Sequence, residues 1–546
     1  MHRSRRSILL LLSLVMLVSA CSRIPDHMRY IPKEAVMVTG INAKALGKKI
    51  AWNVITGSKL FREMQARMPQ KSAKDAISGI EKAGVDAANT FYVYVKTDNR
   101  FKGGNRITGL VPLADAGAWE AYVKRVFPNA QIKQQGERKE ASLSEDLYVG
   151  WNKSLLIAIN TIATPGNVTG DEAPVAGAAD MTAEMENAFA VSKDNSLSGN
   201  QRFMALEQEG HDVTFWLNYD QLMTQYSGDM AQKAGVSLSG TLWKDAVFTS
   251  GFDFKKGKIT GDMHYYVADE MKDIGKELGS ANADKDMIGR LPNDSLDVLF
   301  AIHLSPKGLK GLLEKTGLLG LANIGLSESG LTVDNVLNSV TGDMAFAMNS
   351  FRLRTEQVTD SFMGQVVTHK IQKPTLAVSY AIKINDRAQF QKIVDLAKAN
   401  GLRQSGNGFV MPLNTEDSVY ILLNDQYVVA SNKYMNATRF LEGSFKSGKM
   451  PAEAAGATAH PLGLYIDIEQ LFNNTDAGIS SSPRDSAMIA ESRKLLRSFS
   501  LSGGEFKNSS FEYHLDINFK NTEENSILQL MDYGMKISEA DKVAAR

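Results

Sequence analysis

Short apolar runs separated by turn residues dominate this chain, and they recur in pairs at nearly constant spacing. Ile31-Pro32-Lys33-Glu34-Ala35-Val36 returns as Leu291-Pro292-Asn293-Asp294-Ser295-Leu296. Each copy opens a β-leaning run, Val36 to Ile41 and Val298 to Leu304. A helix is predicted near Ala116, with Trp119, Tyr122, Val123 and Val126 at i, i+3, i+4 and i+7. At an offset of 271 residues the same apolar face returns as Phe390, Ile393, Val394 and Ala397. Asp115 and Asp386 precede the two helices as N-caps would. The stretch Leu147 to Asn160 matches Val419 to Asn432, with Tyr148/Tyr420, Asn152/Asn424, Ala158/Ala430 and Asn160/Asn432 identical. Its pattern is strand, tight turn, strand, and Asn152-Lys153 and Asn424-Asp425 fall where a turn needs residues that tolerate positive φ.

Further pairs keep the same order. Arg202-Phe203 echoes Arg439-Phe440, and Phe215 to Leu222 echoes Leu464 to Leu471. Phe254-Lys255 and Phe506-Lys507 each close a strand of a predicted hairpin, with a helix following near Asp269 or Glu523. The pattern predicts an α+β protein, two tandem copies of a mainly antiparallel sheet unit decorated with helices. The expected division is repeat 1 over 31–280, a polar linker over 281–290, and repeat 2 over 291–546. Repeat 1 carries 35 surplus residues, an insertion at 161–200 that begins Gly/Ala/Pro-rich and ends in a predicted helix from Met181 to Val191. All five tryptophans (Trp52, Trp119, Trp151, Trp216 and Trp243) fall in repeat 1.

The first twenty residues follow another logic. Arg3, Arg5 and Arg6 precede an apolar stretch from Ile8 to Val18, and Val18-Ser19-Ala20-Cys21 has the form of a lipobox. Residues 1–20 therefore read as a lipoprotein signal peptide, Cys21 as the lipidated residue, and 21–30 as a tether. The apolar stretch is too short to span a bilayer, which takes about 20 residues. Cys21 is the sole cysteine, so no intramolecular disulfide can form. No aspartate stands at the second position of Cys21-Ser22-Arg23-Ile24-Pro25, and no acidic export cluster follows. The expected location is the outer membrane, lipid-anchored through palmitate-like acyl chains, with the periplasmic face favoured over the surface.

Composition narrows the function further. The chain has 546 residues, 43% apolar and 22% charged, ordinary for a globular protein and too long for a single core. Basic and acidic residues number 61 each, and loss of the three leader arginines leaves a net charge of −3. That gives no electrostatic grip on nucleic acid.

Motifs for chemistry are sparse. Gly443-Ser444-Phe445-Lys446-Ser447-Gly448-Lys449 fits seven places of a phosphate-binding loop, but Met450 stands where a hydroxyl should hold Mg²⁺, and a predicted helix precedes it. The histidines show no metal-ligand spacing, there is no G-x-S-x-G, and the duplicated Asp115/Asp386 and Asn152/Asn424 are explained by capping and turns. No catalytic, cofactor or metal residue is assigned. One apolar stretch stands out: Leu309 to Leu326 is crowded with leucines and punctuated by Gly311, Gly317, Gly320 and Gly325. Leu312, Leu313, Leu318 and Leu319 are candidates for the wall of an apolar ligand site, against the plainer reading of a helix ending at Gly317 and a packed loop.

The lipobox followed by Arg23-Ile24-Pro25, Tyr30-Ile31-Pro32-Lys33, the Val36–Gly40 strand and Ala45-Leu46 resembles a family of Bacteroidetes outer-membrane lipoproteins classed only as a domain of unknown function. The resemblance implies location and architecture, and no catalytic residue. The expectation is a non-enzymatic binding or structural role, handling an apolar ligand or lipid or an envelope protein partner. The alternative is an envelope hydrolase with a dispersed carboxylate or serine site.

Overall fold

A computed structural model describes residues 25–51, 54, 57, 80–97, 104–163, 178–223, 242–362, 365–406, 408–413, 418–447, 449–475 and 483–544. The chain divides into two compact units, one of residues 1–57, 61–221 and 249–251, the other of 58–60, 222–248 and 252–546.

The first unit holds β1 (Met37–Asn42), α1 (Ala43–Lys49), β2 (Thr90–Thr97), β3 (Gly104–Pro112) and α2 (Ala116–Val126). Then come β4 (Lys133–Gln135), β5 (Arg138–Ser142), β6 (Leu147–Trp151), β7 (Leu155–Ala163), α3 (Ala178–Phe189), α4 (Gln201–Glu209) and β8 (Val213–Asn218). Its strands lie in the order β8-β1-β2-β3-β7-β6-β5-β4, every pair antiparallel.

In the second part of the chain β9 (Val247–Lys255) and β10 (Lys258–Tyr266) precede α5 (Lys272–Leu278), α6 (Lys285–Gly289) and β11 (Leu296–His303). Next are α7 (Pro306–Lys315), α8 (Leu319–Ser327), α9 (Val333–Ser339), β12 (Val340–Phe362), β13 (Gln365–Ile384) and α10 (Arg387–Ala399). They lead to β14 (Arg403–Ser405), β15 (Gly408–Pro412), β16 (Ser418–Leu423), β17 (Tyr427–Ser431), α11 (Tyr434–Glu442), α12 (Ala452–Ala457) and β18 (Leu462–Asp467). The chain closes with α13 (Ile468–Asn473), α14 (Pro483–Leu495), β19 (Leu496–Lys507), β20 (Ser510–Phe519) and α15 (Ser526–Ala544). The second unit's sheet runs β14-β15-β16-β17-β13-β12-β11-β18-β19-β20-β10, again antiparallel throughout.

The same pairing scheme thus occurs twice. β1 lies between β2 and β8 as β11 lies between β12 and β18, and β3 to β7 connect as β13 to β17 do. The fold is α+β, two tandem antiparallel units carrying helices. The local chemistry recurs as well. Asp115 Oδ1 accepts from Gly117 N at 2.8 Å and Ala118 N at 3.0 Å, and Asp386 Oδ1 accepts from Ala388 N and Gln389 N at the same distances. The helix each caps buries its periodic face, Trp119, Tyr122, Val123 and Val126 in α2, Phe390 and Val394 in α10. Burying one such large side chain stabilises by roughly 1.5–3 kcal/mol.

Three details depart from the sequence reading. Asn152, Lys153, Asn424 and Asp425 all keep negative φ. Asn152 and Asn424 act instead through their side-chain carbonyls, which accept from the backbone N–H of Ser154 and Leu155, and of Gln426 and Tyr427. Within 281–290, expected as a linker, Asp284 caps α6, and Met287 and Ile288 are buried with Leu291 and Leu296 in the second unit's core. Its polar composition hid two buried apolar side chains in a short helix. Residues Asp26–Tyr30, expected within the tether, form a 3-10 turn that buries His27 and Met28. His27 Nε2 lies 2.7 Å from Thr90 O, and burial lowers the pKa of its ring.

Candidate functional site

A concave surface of the first unit lies beside residues 178–200 of the 161–200 insertion, the segment that repeat 2 lacks. Its helix α3 is fixed to the sheet at three points. Arg106 of β3 pairs with Glu184 at 2.5 Å, both side chains almost fully enclosed. Tyr148 OH lies 3.2 Å from Thr182 Oγ1 and donates to Glu140 Oε2 at 2.8 Å. Met185 lies over Gly150, where a Cβ would come within 2.6 Å of the sulfur, so any larger residue there would make the methionine side chain shift. Beyond α3 the chain passes through two 3-10 turns, Lys193–Asn195 and Leu197–Gly199, and is stitched to the N-terminal segment. Lys33 N donates to Asn195 O at 2.9 Å, and Leu197 N donates to Ile31 O at 2.8 Å.

Between these two segments lies a hollow of about 570 Å³. Met28, Tyr30, Phe189, Val191 and Met204 give it an apolar lining, and Asp26, Arg29 and Lys193 stand among its polar groups. Tyr30 and Phe189 meet edge to face at 6.0 Å, and Arg29 donates to Tyr30 OH at 2.6 Å. A second hollow of about 350 Å³ shares Ala190 and Val191 with the first and is more polar, with Glu34, Lys96, Glu184 and Asn187 in its wall. Tyr94 lies there too, its phenol pushed up by burial. The larger volume falls within the ~300–1,000 Å³ usual for small-molecule sites. Methionine and aromatic side chains beside two exposed cations suit an amphiphile, with its apolar part inward and a polar head at the rim.

The first unit's buried acids serve the fold. Glu207 accepts from Tyr92 OH at 2.5 Å and from Thr214 Oγ1 at 2.7 Å, and burial holds its carboxyl above the usual range. Asp212 pairs with Lys49, and Glu140 with Arg138 at 2.6 Å. In the second unit Asp297 accepts from Phe351 N and Gln470 Nε2, both at 2.7 Å. Among the described residues no group of three or more His, Cys, Asp or Glu gathers where it could hold a metal ion. Nor, among them, is any helix long and apolar enough to cross a membrane.

The leucine candidates occupy two short helices of the second unit. Leu312 of α7 packs against the cluster of Val267, Ala268 and Met271. Leu313, Leu318 and Leu319 are half-buried, while Leu321 and Ile324 of α8 are 55% and 68% exposed. α7 ends at Lys315 with Thr316 as its C-cap, and Gly317 takes a φ of +72°, the helix stop expected there. None of the four leucines lines either hollow. Gly443 caps α11 at a φ of +72° and leads into a 3-10 turn, so the phosphate-loop match lies at a helix C-terminus, the wrong end for an anion. Residues 1–24, Cys21 among them, lie outside the described residues, as do 164–177 of the insertion.

Sequence reasoning missed the Arg106–Glu184 pair that places α3. A signal was present in β3, where Arg106 alternates with Thr108 and Leu110 on the buried face.

All the described strands, and every described helix but the last, lie within a stretch matched by one family, apart from the first two residues of the opening 3-10 turn. Residues 28–527 match the family described as Domain of unknown function (DUF4836), and the chain belongs to it. Among solved structures, crystal form III of TP0453 is similar at 10% identity and a TM-score of 0.26, over 45% of this chain and 81% of that one. Crystal form I of TP0453 is similar at 10% identity and a TM-score of 0.25, over 48% and 82%. Among curated proteins, none matches.

Proposed function

We propose that this chain is a periplasm-facing lipoprotein, anchored to the outer membrane through Cys21, whose first unit binds an acyl-chain amphiphile without catalysing a reaction on it. The larger hollow carries this reading. Met28, Val191 and Met204 supply adaptable apolar surface, and Arg29 and Lys193 stand where an anionic head would rest. The lipobox and the residues after Cys21 support the address.

Two measurements test the two parts. Titrating the protein with a dansyl-labelled fatty acid should give saturable binding. Met204→Arg should weaken it at least roughly tenfold, about 1.4 kcal/mol, while the circular dichroism of the folded protein is kept. Absence of saturable binding to the folded, unlipidated protein would remove the amphiphile site. For the anchor, Cys21→Ala should release the protein from the outer-membrane fraction or leave it as an uncleaved precursor. A mature variant that still fractionates with that membrane would end the lipobox reading.

A further inference from the structure

We infer that the larger hollow seats one of the protein's own acyl chains, carried on Cys21; the inference rests on the anchor and the amphiphile site proposed above. The argument is one of reach. The lining begins at Pro25, only four residues after Cys21, so the acylated sulfur lies within about 14 Å of chain from the wall at full extension of ~3.3–3.6 Å per residue. The stretch that follows is tied down. Met28 N donates to Pro25 O at 3.0 Å, His27 contacts Thr90 O, and Ile31 O accepts from Leu197 N. Pro25, the described residue nearest Cys21 in the chain, is thereby held in the wall of the hollow.

A ligand tethered this closely is present at an effective concentration in the millimolar range, well above that of most free amphiphiles. A hollow of about 570 Å³ has the size for one acyl chain. A lipoprotein cysteine carries more than one, and two signals make stable anchoring where a single chain binds a membrane only marginally. Seating one chain in the protein would weaken the grip on the bilayer. A free amphiphile that displaces it would return the chain to the membrane, and by linkage each event opposes the other to the same degree.

The test compares the lipidated full chain with the Cys21→Ala full chain released after Ala20, both verified by mass spectrometry and both mixed with the same phosphatidylethanolamine vesicles. The dansyl-labelled fatty acid should bind the lipidated form at least roughly tenfold more weakly. In a parallel experiment a benzophenone side chain replaces Met204 in the lipidated protein, and after irradiation the adduct should lie on the acylated Cys21 peptide. The same group at Asn152, in the β6–β7 turn, should give no such adduct. Equal probe binding by the two forms, or adducts only with vesicle lipid, overturns self-occupancy and leaves the amphiphile site standing. Failure of both forms to bind the probe removes both readings.

Discussion

Tyr92, Glu207 and Thr214 form a polar knot inside the first unit, where every neighbour raises the cost of an unpaired atom. Tyr92 is buried on β2, and its hydroxyl donates to Glu207 Oε2 at 2.5 Å and lies 3.7 Å from Met28 Sδ. Burial, then the adjoining Glu207 carboxylate, drives the phenol pKa up, so the hydroxyl keeps its proton and donates it, and burial also raises the pKa of Glu207. Tyr92→Phe would keep the ring and delete the donor, stranding a buried oxygen at a cost of about 1–3 kcal/mol. A urea unfolding curve should show the midpoint falling with an unchanged slope. Because Met28 also lines the hollow, probe binding read on the same variant reports whether this knot positions the site's floor. A wild-type midpoint would mean that Glu207 finds water or another donor.

Elements whose logic is local were legible in the sequence, and those that depend on distant partners were not. The capped helices α2 and α10 are the clearest case, because Asp115 and Asp386 each accept two N–H groups of the turn they precede. Asp115→Ala and Asp386→Ala should each lower stability by about 1 kcal/mol, within the ~0.5–2 kcal/mol usual for caps, and denaturant melts of the single variants would measure it. The hairpins were legible through their asparagines, although these act by side-chain acceptance and not by positive φ. α6 resembles a linker in sequence because two apolar side chains in a polar run look solvent-exposed until a core is supplied for them. The hollow was only half legible. Its insertion was visible as surplus chain, but the Arg106–Glu184 pair and the Gly150–Met185 approach join residues far apart in sequence. The leucine-rich segment drew attention by composition, which does not say which unit a side chain faces. Gly150→Val would displace the Met185 side chain and loosen the packing of α3 on β6, so limited proteolysis should cut within 178–200 faster than in the wild type. Unchanged cleavage would show that α3 is held by its polar contacts alone.

At the scale of the whole molecule the duplication leaves a mark on strand register. β10 and β20 are the corresponding last strands of the two copies, since Phe254-Lys255 and Phe506-Lys507 close the strands before them at an offset of 252 residues. They pair with each other antiparallel, and Asp262 faces His514, the residue that corresponds to it at that same offset. Lys258 faces Asn518 and Tyr266 faces Ser510, again with correspondents exchanged. The two strands thus meet with correspondents exchanged about Asp262 and His514, a local two-fold pattern within the second compact unit. The axis position now carries a charge pair. His514 Nδ1 lies 2.7 Å from Asp262 Oδ1, its Nε2 lies 3.4 Å from Asp516 Oδ1, and Lys258 Nζ approaches Asp516 at 3.5 Å. The carboxylate of Asp516, then that of Asp262, pushes His514 up to about 9 from an ordinary 6.5, and the same contact lowers Asp516. A raised histidine pKa stabilises the fold in full below the unfolded value and loses that contribution as pH climbs through about 9. Asp516 adds the opposite edge, its contribution fading as pH falls through its depressed value. His514→Gln should therefore lower the melting temperature most near about pH 6 and leave it nearly unchanged near about pH 10. Thermal melts of the two proteins across that range decide it: a difference that does not shrink above about pH 9 would mean His514 acts by packing, and the charge at the axis stabilises nothing.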